Sequence, residues 1–329
     1  MTRLSAQTPP PWPNALAGLW RPGFHRLMLV IRCLAFLCLT SVALLTPGFL
    51  SVPNIVSLLT TVSFAGSVAI GMTLITLSGN IMSFSLGATV GASAMIFIAA
   101  VNYGGLVLGL FAALGFGGLV SAAQGAAVGY ARANPIIVSI AALSLILGGA
   151  EGYAQNGGNY ASASAHFGIL KSQIGVVPID FIFFVCVTMA VQALLTFTTF
   201  GRDVFMTGSS FRASEAVGVR TARTVTGVYA CAGICAAIAG VMLASRYGSA
   251  TMAYGSGYDY DAIAAVLVGG TIISGGEGSA FRTLVGISFV AIVQALLLLR
   301  GFRQEWQHLV GGVIVLIVMM LQTRSAERS

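Results

Sequence analysis

Lysine is nearly missing from this chain: Lys171 is the only one in 329 residues. A phosphate-cradling loop needs a lysine behind a glycine-rich turn, and Leu170 stands where that motif wants glycine, so no ATP site of this kind can be built. Histidine is almost as scarce. His25, His166 and His308 all lie at or beyond the ends of apolar runs, so Ser93, in the run Gly91-Ala92-Ser93-Ala94, has no base within reach to make it a nucleophile. No His/Asp/Glu cluster has metal-ligand spacing. The five cysteines, Cys33, Cys38, Cys186, Cys231 and Cys235, form no CxxC pair and lie in apolar segments, which argues against a disulfide framework and a thiolate metal site. No catalytic residue, metal or cofactor is therefore expected on the chain itself.

Charge is also sparse. Only 8% of residues are charged, against about 25% in an ordinary soluble domain. What fills the chain instead is apolar: 57% of residues are hydrophobic, and the mean hydropathy is +0.92. A soluble core cannot absorb that much apolar surface. The sequence therefore predicts an all-α, polytopic integral membrane protein with a single membrane domain over 25–323. Expected spans run Leu27–Leu45, Ile55–Leu77, Leu86–Val101, Leu106–Tyr130, Ile136–Ala150, Ile179–Phe200, Val225–Ser245, Ala262–Ile273, Leu284–Leu299 and Leu309–Leu321, about ten in all. The eighth is too short for a full crossing and is expected to be tilted, re-entrant or buried. Glycine is abundant, with 41 residues, and spacings such as Gly87 to Gly91 and Gly125 to Gly129 suit close helix packing.

The net charge of +7 comes almost entirely from arginine, which in a membrane protein sets orientation and gives no support to nucleic-acid binding. Placing the proline-containing tail 1–24 in the cytoplasm puts Arg132, Arg202, Arg212, Arg220, Arg223 and Arg282 there too. Ten spans then return the tail 324–329, with Arg324 and Arg328, to the same side. The loop at about 151–177 should face outside. The loop at about 201–224 should face the cytoplasm and meet soluble partners.

Inside a bilayer, carboxylates mark ion coupling. Here they avoid mid-span positions: Asp259 and Asp261 precede the short eighth span, where they read either as a helix cap or as substrate or gating groups. An ion-coupled secondary transporter is the alternative function that this weighs against. A polar path can still be drawn through Asn80, Ser83, Ser85, Gln124, Thr271 and Ser274, each of which serves equally well as a helix-to-helix hydrogen bond.

Several runs bear a resemblance. Leu243–Ala250, then Gly257–Val266, Gly269-Gly270-Thr271 and Ser274–Ser279 occur in the order and spacing of a known motif. Upstream, Leu77–Gly87 and Asn134–Val138 match further segments. Together they make the chain similar to the permease subunits of bacterial ABC importers for ribose and related monosaccharides, the family that also holds autoinducer and polyol importers. It departs where the family usually carries an aspartate, a position held here by Met82 or Ser83. The resemblance implies a permease in the inner membrane that passes a monosaccharide or similar small polar solute. It also implies a second permease copy or sister permease, cytoplasmic ABC ATPase subunits that hold ATP and Mg, a periplasmic solute-binding protein, and membrane lipid around the chain. By the same resemblance the loop segment Phe211, Arg212, Ala213, Ser214, Glu215 and Gly218 docks the ATPase, with Phe211 and Glu215 presented together at i, i+4 spacing.

Overall fold

A computed structural model describes residues 40–42, 45–154, 159–160 and 173–326. The expected tail 1–24, the first span apart from its last residues, most of the loop 151–177 and the end of the tail 324–329 lie outside the described residues.

Among the described residues after Ser51, ten α-helices follow: α1 Val52–Leu77, α2 Leu86–Gly129, α3 Pro135–Ala154, α4 Ile179–Phe197, α5 Thr199–Ser209, α6 Phe211–Ala216, α7 Thr221–Tyr247, α8 Tyr258–Gly269, α9 Ala280–Leu299 and α10 Gln304–Ala326. Six of them, α1, α2, α3, α4, α7 and α9, are long and apolar enough to cross a membrane. The protein is thus all-α and polytopic. Its cytoplasmic loop of the sequence reading is not irregular but two short helices, α5 and α6, each started by a hydroxyl cap: Thr198 Oγ1 accepts from Gly201 N at 3.1 Å, and Ser210 Oγ from Ala213 N at 3.3 Å.

The 44 residues of α2 hold two expected spans. The helix breaks at Gly104 and Gly105, the latter at φ 84, a conformation that a side chain would oppose. Its two halves then fold back along α7. In the second half Gly117 meets Gly233, Gly125 meets Thr226 and Tyr229, and Gly129 meets Ala222, so it descends α7. In the first half Val90 and Ala94 meet Gly240, and Phe97 and Ile98 pack with Val241 and Ala244 higher up, so it ascends. Glycine on both sides brings these backbones together where leucine would hold them apart.

The core lies between α1 and α7. About two thirds or more of their apolar windows are buried, 67% and 72%, against 11% for α3, whose outer face is left for lipid or another chain. Ile70, Met72, Leu74 and Ile75 of α1 are fully buried, and Gly71 seats against Ala232 and Cys235 of α7. Beyond Tyr247 two residues form β4, Ser249–Ala250, which pairs antiparallel with β1, Asn159–Tyr160. A small hairpin of β2, Gln173–Ile174, and β3, Val177–Pro178, leads into α4. One end of the bundle therefore carries these strands, and the other carries α5, α6 and the α2–α3 turn.

Candidate functional site

Two helices begin part-way through the bundle. α7 has 27 residues, about 40 Å, and Val90 of α2 stands beside Gly240. Gly87 lies about 4.5 Å below Val90, close to the middle of α7. α2 therefore starts near half-height, reached by the non-helical run 78–85 that climbs back from the end of α1. α8 starts at the same level. Its Asp259 accepts a hydrogen bond from Gly87 N at Oδ1, 2.7 Å, and the Leu86 amide also bears on that carboxylate. Irregular backbone at such a depth is tolerated only where protein buries it or a polar cavity lies beside it. Helix N-termini meeting at mid-membrane bring unpaired N–H groups and their positive ends to one place.

The structure revises the expected role of the two aspartates. α8 starts at Tyr258 with Gly257, φ 90, at its N-cap, so Asp259 and Asp261 sit inside the first turn and neither is the N-cap residue of its own helix. Asp259 instead caps α2, whose own N-cap residue Ser85 makes no side-chain cap bond. Asp261 Oδ1 accepts from Gln294 Nε2 at 2.8 Å, tying α8 to α9. The carboxylates do lie at helix ends, as the sequence indicated, but for Asp259 that end lies at half-depth because the helix has only 12 residues.

A cavity of about 400 Å³ opens beside this junction, lined by Phe84, Leu143, Met252, Ser256, Asp259 and Tyr260 among others. Tyr260 and Ser256 are exposed. A larger, apolar cavity of about 910 Å³ lies between the halves of α2 and α3, with Gln124 as its polar lining residue. Of the expected polar path, three members come together: Ser83 Oγ and Ser85 Oγ lie 3.1 Å apart, and Ser85 Oγ donates to Gln124 Oε1 at 2.6 Å. Gln124 Nε2 is buried without a hydrogen-bond partner. Asn80 stands apart at the foot of the loop and donates to Ser78 Oγ at 2.8 Å. Thr271, buried, and Ser274, exposed, lie past the far end of α8, about 18 Å of helix away from Asp259. Phe84, Met252, Ser256 and Tyr260 were not singled out from sequence. The signal that finds them is an apolar run too short to cross, opened by Gly255-Ser256-Gly257.

The docking segment also differs from expectation. Phe211 and Glu215 do share a face of α6, but both contact Arg132 of the α2–α3 turn, Phe211 half-buried and Glu215 still exposed. Arg132 Nη2 lies 3.1 and 3.2 Å from the two Glu215 oxygens, and its guanidinium stands 5.3 Å from the Phe211 ring centre. Ser214 is buried, and its Oγ donates to Ser210 O at 2.8 Å. Exposed along α6 are Arg212, Ala213, Glu215, Ala216 and Val217, the last 74% exposed, before Gly218 ends the turn at φ 88. At the opposite end Arg246 Nη1 donates to Asp180 Oδ2 at 2.9 Å, joining α7 to α4.

Residues 54–319 match the family described as branched-chain amino acid transport system, permease component. The ribose import permease protein RbsC of Bacillus subtilis is 30% identical over 295 residues, 88% of this chain and 91% of that protein. The galactose/methyl galactoside import permease protein MglC of Haemophilus influenzae is 29% identical over 206 residues, 60% of this chain and 61% of its own length. The autoinducer 2 import system permease protein LsrD of Escherichia coli is 30% identical over 208 residues, 60% of this chain and 62% of its own. No solved structure matches the chain.

Proposed function

The chain belongs to this family of ABC-importer permease components and is a multi-pass protein of the bacterial inner membrane, and from that premise we propose that it passes a monosaccharide or similar small polar solute through the break between α2 and α8. The observation that carries the reading is the meeting of two half-depth helix starts, bonded Gly87 to Asp259, over a 400 Å³ cavity. A sugar needs acceptors and donors for its hydroxyls and a ring face for its C–H surface. Asp259, Ser256, Tyr260 and Phe84 offer these in one place, with few enough polar groups to hold the solute weakly and release it. The names of the relatives, which import ribose and galactosides, support the solute class.

Asp259 does not read as a proton or sodium relay, because its carboxylate is engaged by backbone amides of α2 and, among the described residues, makes no ion pair. Energy is then supplied by a partner: an ABC ATPase, carrying ATP and Mg, seated on the outward face of α6 at Arg212, Ala213 and Val217. A second permease copy or sister permease covers part of the exposed bundle, and a periplasmic binding protein delivers solute at the strand end. Ten crossings with both termini in the cytoplasm remain the arrangement that puts the arginines of the α2–α3 turn and of α5 and α6 inside.

Purification from the native host in mild detergent, with partners identified by mass spectrometry, tests this. A stoichiometric P-loop ATPase that is lost in Val217→Asp supports the reading. A chain that purifies alone and still performs gradient-driven uptake after reconstitution would sink it.

A further inference from the structure

Among the described residues Arg132 is the one non-glycine residue at positive φ, 51°. An L residue occupies that region where its surroundings hold it there, and such positions cluster where a conformation is put to use. The surroundings are specific. The Arg132 guanidinium covers the Phe211 ring and reaches both Glu215 oxygens, and Glu215 Oε1 also accepts from Thr221 Oγ1 at 3.2 Å. One side chain from the α2–α3 turn therefore grips α6 at both ends of one face and, through Glu215, the first residue of α7.

This grip contributes little to stability, because the side chains are open to water, at 68% for Arg132 and 42% for Glu215. Its value is directional: a planar guanidinium that stacks on a ring while pairing with a carboxylate fixes α6 in position and in rotation. The same turn leads into α3 within three residues, where Asn134 Oδ1 accepts from Ile136 N at 2.9 Å and Pro135 sets the first turn. α3 then carries Ile140, Leu143 and Leu147 to the wall of the 400 Å³ cavity, from about 8 to about 18 Å along the helix.

We propose that Arg132 is the positioning residue that transmits movement of α6 to α3, so that displacement of α6 by the ATPase moves the cavity wall at Leu143 and Leu147. This rests on the reading of α6 as the docking helix. α3 suits the part, since only 11% of its apolar window is buried against the rest of the chain. Coupling through a single exposed clamp also predicts that docking and transmission separate: the outward face of α6 stays intact when Arg132 is removed.

The test uses the permease purified with its co-expressed ATPase in nanodiscs. Leu147→Cys is labelled by a soluble maleimide with and without ATP plus vanadate, and labelling is read by peptide mass spectrometry so that native cysteines do not interfere. Arg132→Gly is the variant of choice, since glycine takes φ 51 without strain and the backbone keeps its path. The expected result is unchanged ATPase recovery, an unchanged melting temperature, and loss of most of the nucleotide-dependent change at Leu147→Cys. Arg132→Lys, which keeps the charge without the planar fork, should restore only part of it. A nucleotide response in Arg132→Gly equal to that of the parent overturns the proposal, as does loss of ATPase recovery in that variant, which would make Arg132 a docking contact. Failure of the parent to recover any ATPase is the separate failure of the docking reading and removes the inference with it.

Discussion

Gly87 N lies 2.7 Å from Asp259 Oδ1 across 172 residues of sequence, so the first turn of α2 is capped by the first turn of α8. Each helix start thereby depends on the other. Asp259→Ala leaves the α2 amides without their acceptor and should lower thermal stability by about 0.5–2 kcal/mol, the cost of a lost N-cap. Asp259→Asn keeps a carbonyl acceptor, so its stability should stay within about 1 kcal/mol of the parent, the worth of a charge at a helix start. Its uptake should still fall by roughly ten- to a hundredfold, since a hydrogen bond donated to a charged acceptor is worth about 1.5–3 kcal/mol. Uptake by Asp259→Asn at the parental rate would leave Asp259 as a cap and nothing more.

Gly87 also has no room for a side chain. A Cβ there would stand 2.5 Å from Gly255 O and from Asp259 Oδ2, both held by their own backbone or bond. Gly87→Ala should therefore force α2 and the 252–257 segment apart, at about 1–3 kcal/mol. Gly115→Ala on the same helix meets nothing within 4 Å and should be neutral or stabilising, by up to about 1 kcal/mol from helix propensity. Thermal unfolding of the two variants in one detergent separates tight packing from a general dislike of alanine. Equal melting temperatures would count against the close approach at Gly87.

How far the sequence shows these features follows from what each depends on. Hydropathy placed α1, α3, α4, α7 and α9 because each is a continuous apolar run longer than a soluble helix would carry. It also separated the halves of α2 at Gly104 and Gly105, where the glycine pair interrupts the run. Depth was legible only as the eighth span being too short to cross, not as the level at which it starts. Asp259 sits at the end of an apolar run, as periodicity indicated, but that the end lies midway along α7 is a property of packing between helices far apart in sequence. Orientation was equally hidden at α6. The i, i+4 spacing of Phe211 and Glu215 fixes a shared face, but that Arg132, about 80 residues earlier, meets both is a property of the fold. The Ser85–Gln124 bond spans 39 residues and needed the fold-back of α2 to exist.

Arg246 and Asp180 make a different kind of link. Asp180 is nearly fully buried, with 2% of its side chain exposed, and Arg246 keeps 25%. Arg246→Ala leaves a buried carboxylate without its partner and should cost about 3–5 kcal/mol. The pair replaced together, Arg246→Met with Asp180→Leu, should recover most of that, since apolar groups of similar size often substitute for a buried pair. Melting of the single and double variants checks this. A double variant no better than the single would mean that the charges carry a role beyond neutralising each other.

The amide of Gln124 offers the sharpest separation of transport from architecture. Its Oε1 is engaged by Ser85 Oγ at 2.6 Å, whereas its Nε2 is buried without a hydrogen-bond partner, and the residue lines the 910 Å³ cavity. If the amide served only to join the loop 78–85 to the second half of α2, Gln124→Leu and Ser85→Ala would be equivalent, each losing about 0.6 kcal/mol, the average worth of such a bond between membrane helices. They are not equivalent if the solute path passes here. Ser85→Ala removes one donor and should reduce uptake no more than it reduces stability. Gln124→Leu removes the polar residue of an otherwise apolar lining and also relieves the unpaired N–H, so its stability should match or exceed that of the parent while uptake drops about tenfold, as for one lost neutral hydrogen bond of about 1–1.5 kcal/mol. Parallel measurement of melting temperature and of ATP-driven uptake in vesicles decides it. A Gln124→Leu permease that is both stable and fully active would confine the path to the Asp259 cavity and leave the larger one to lipid or a neighbouring helix.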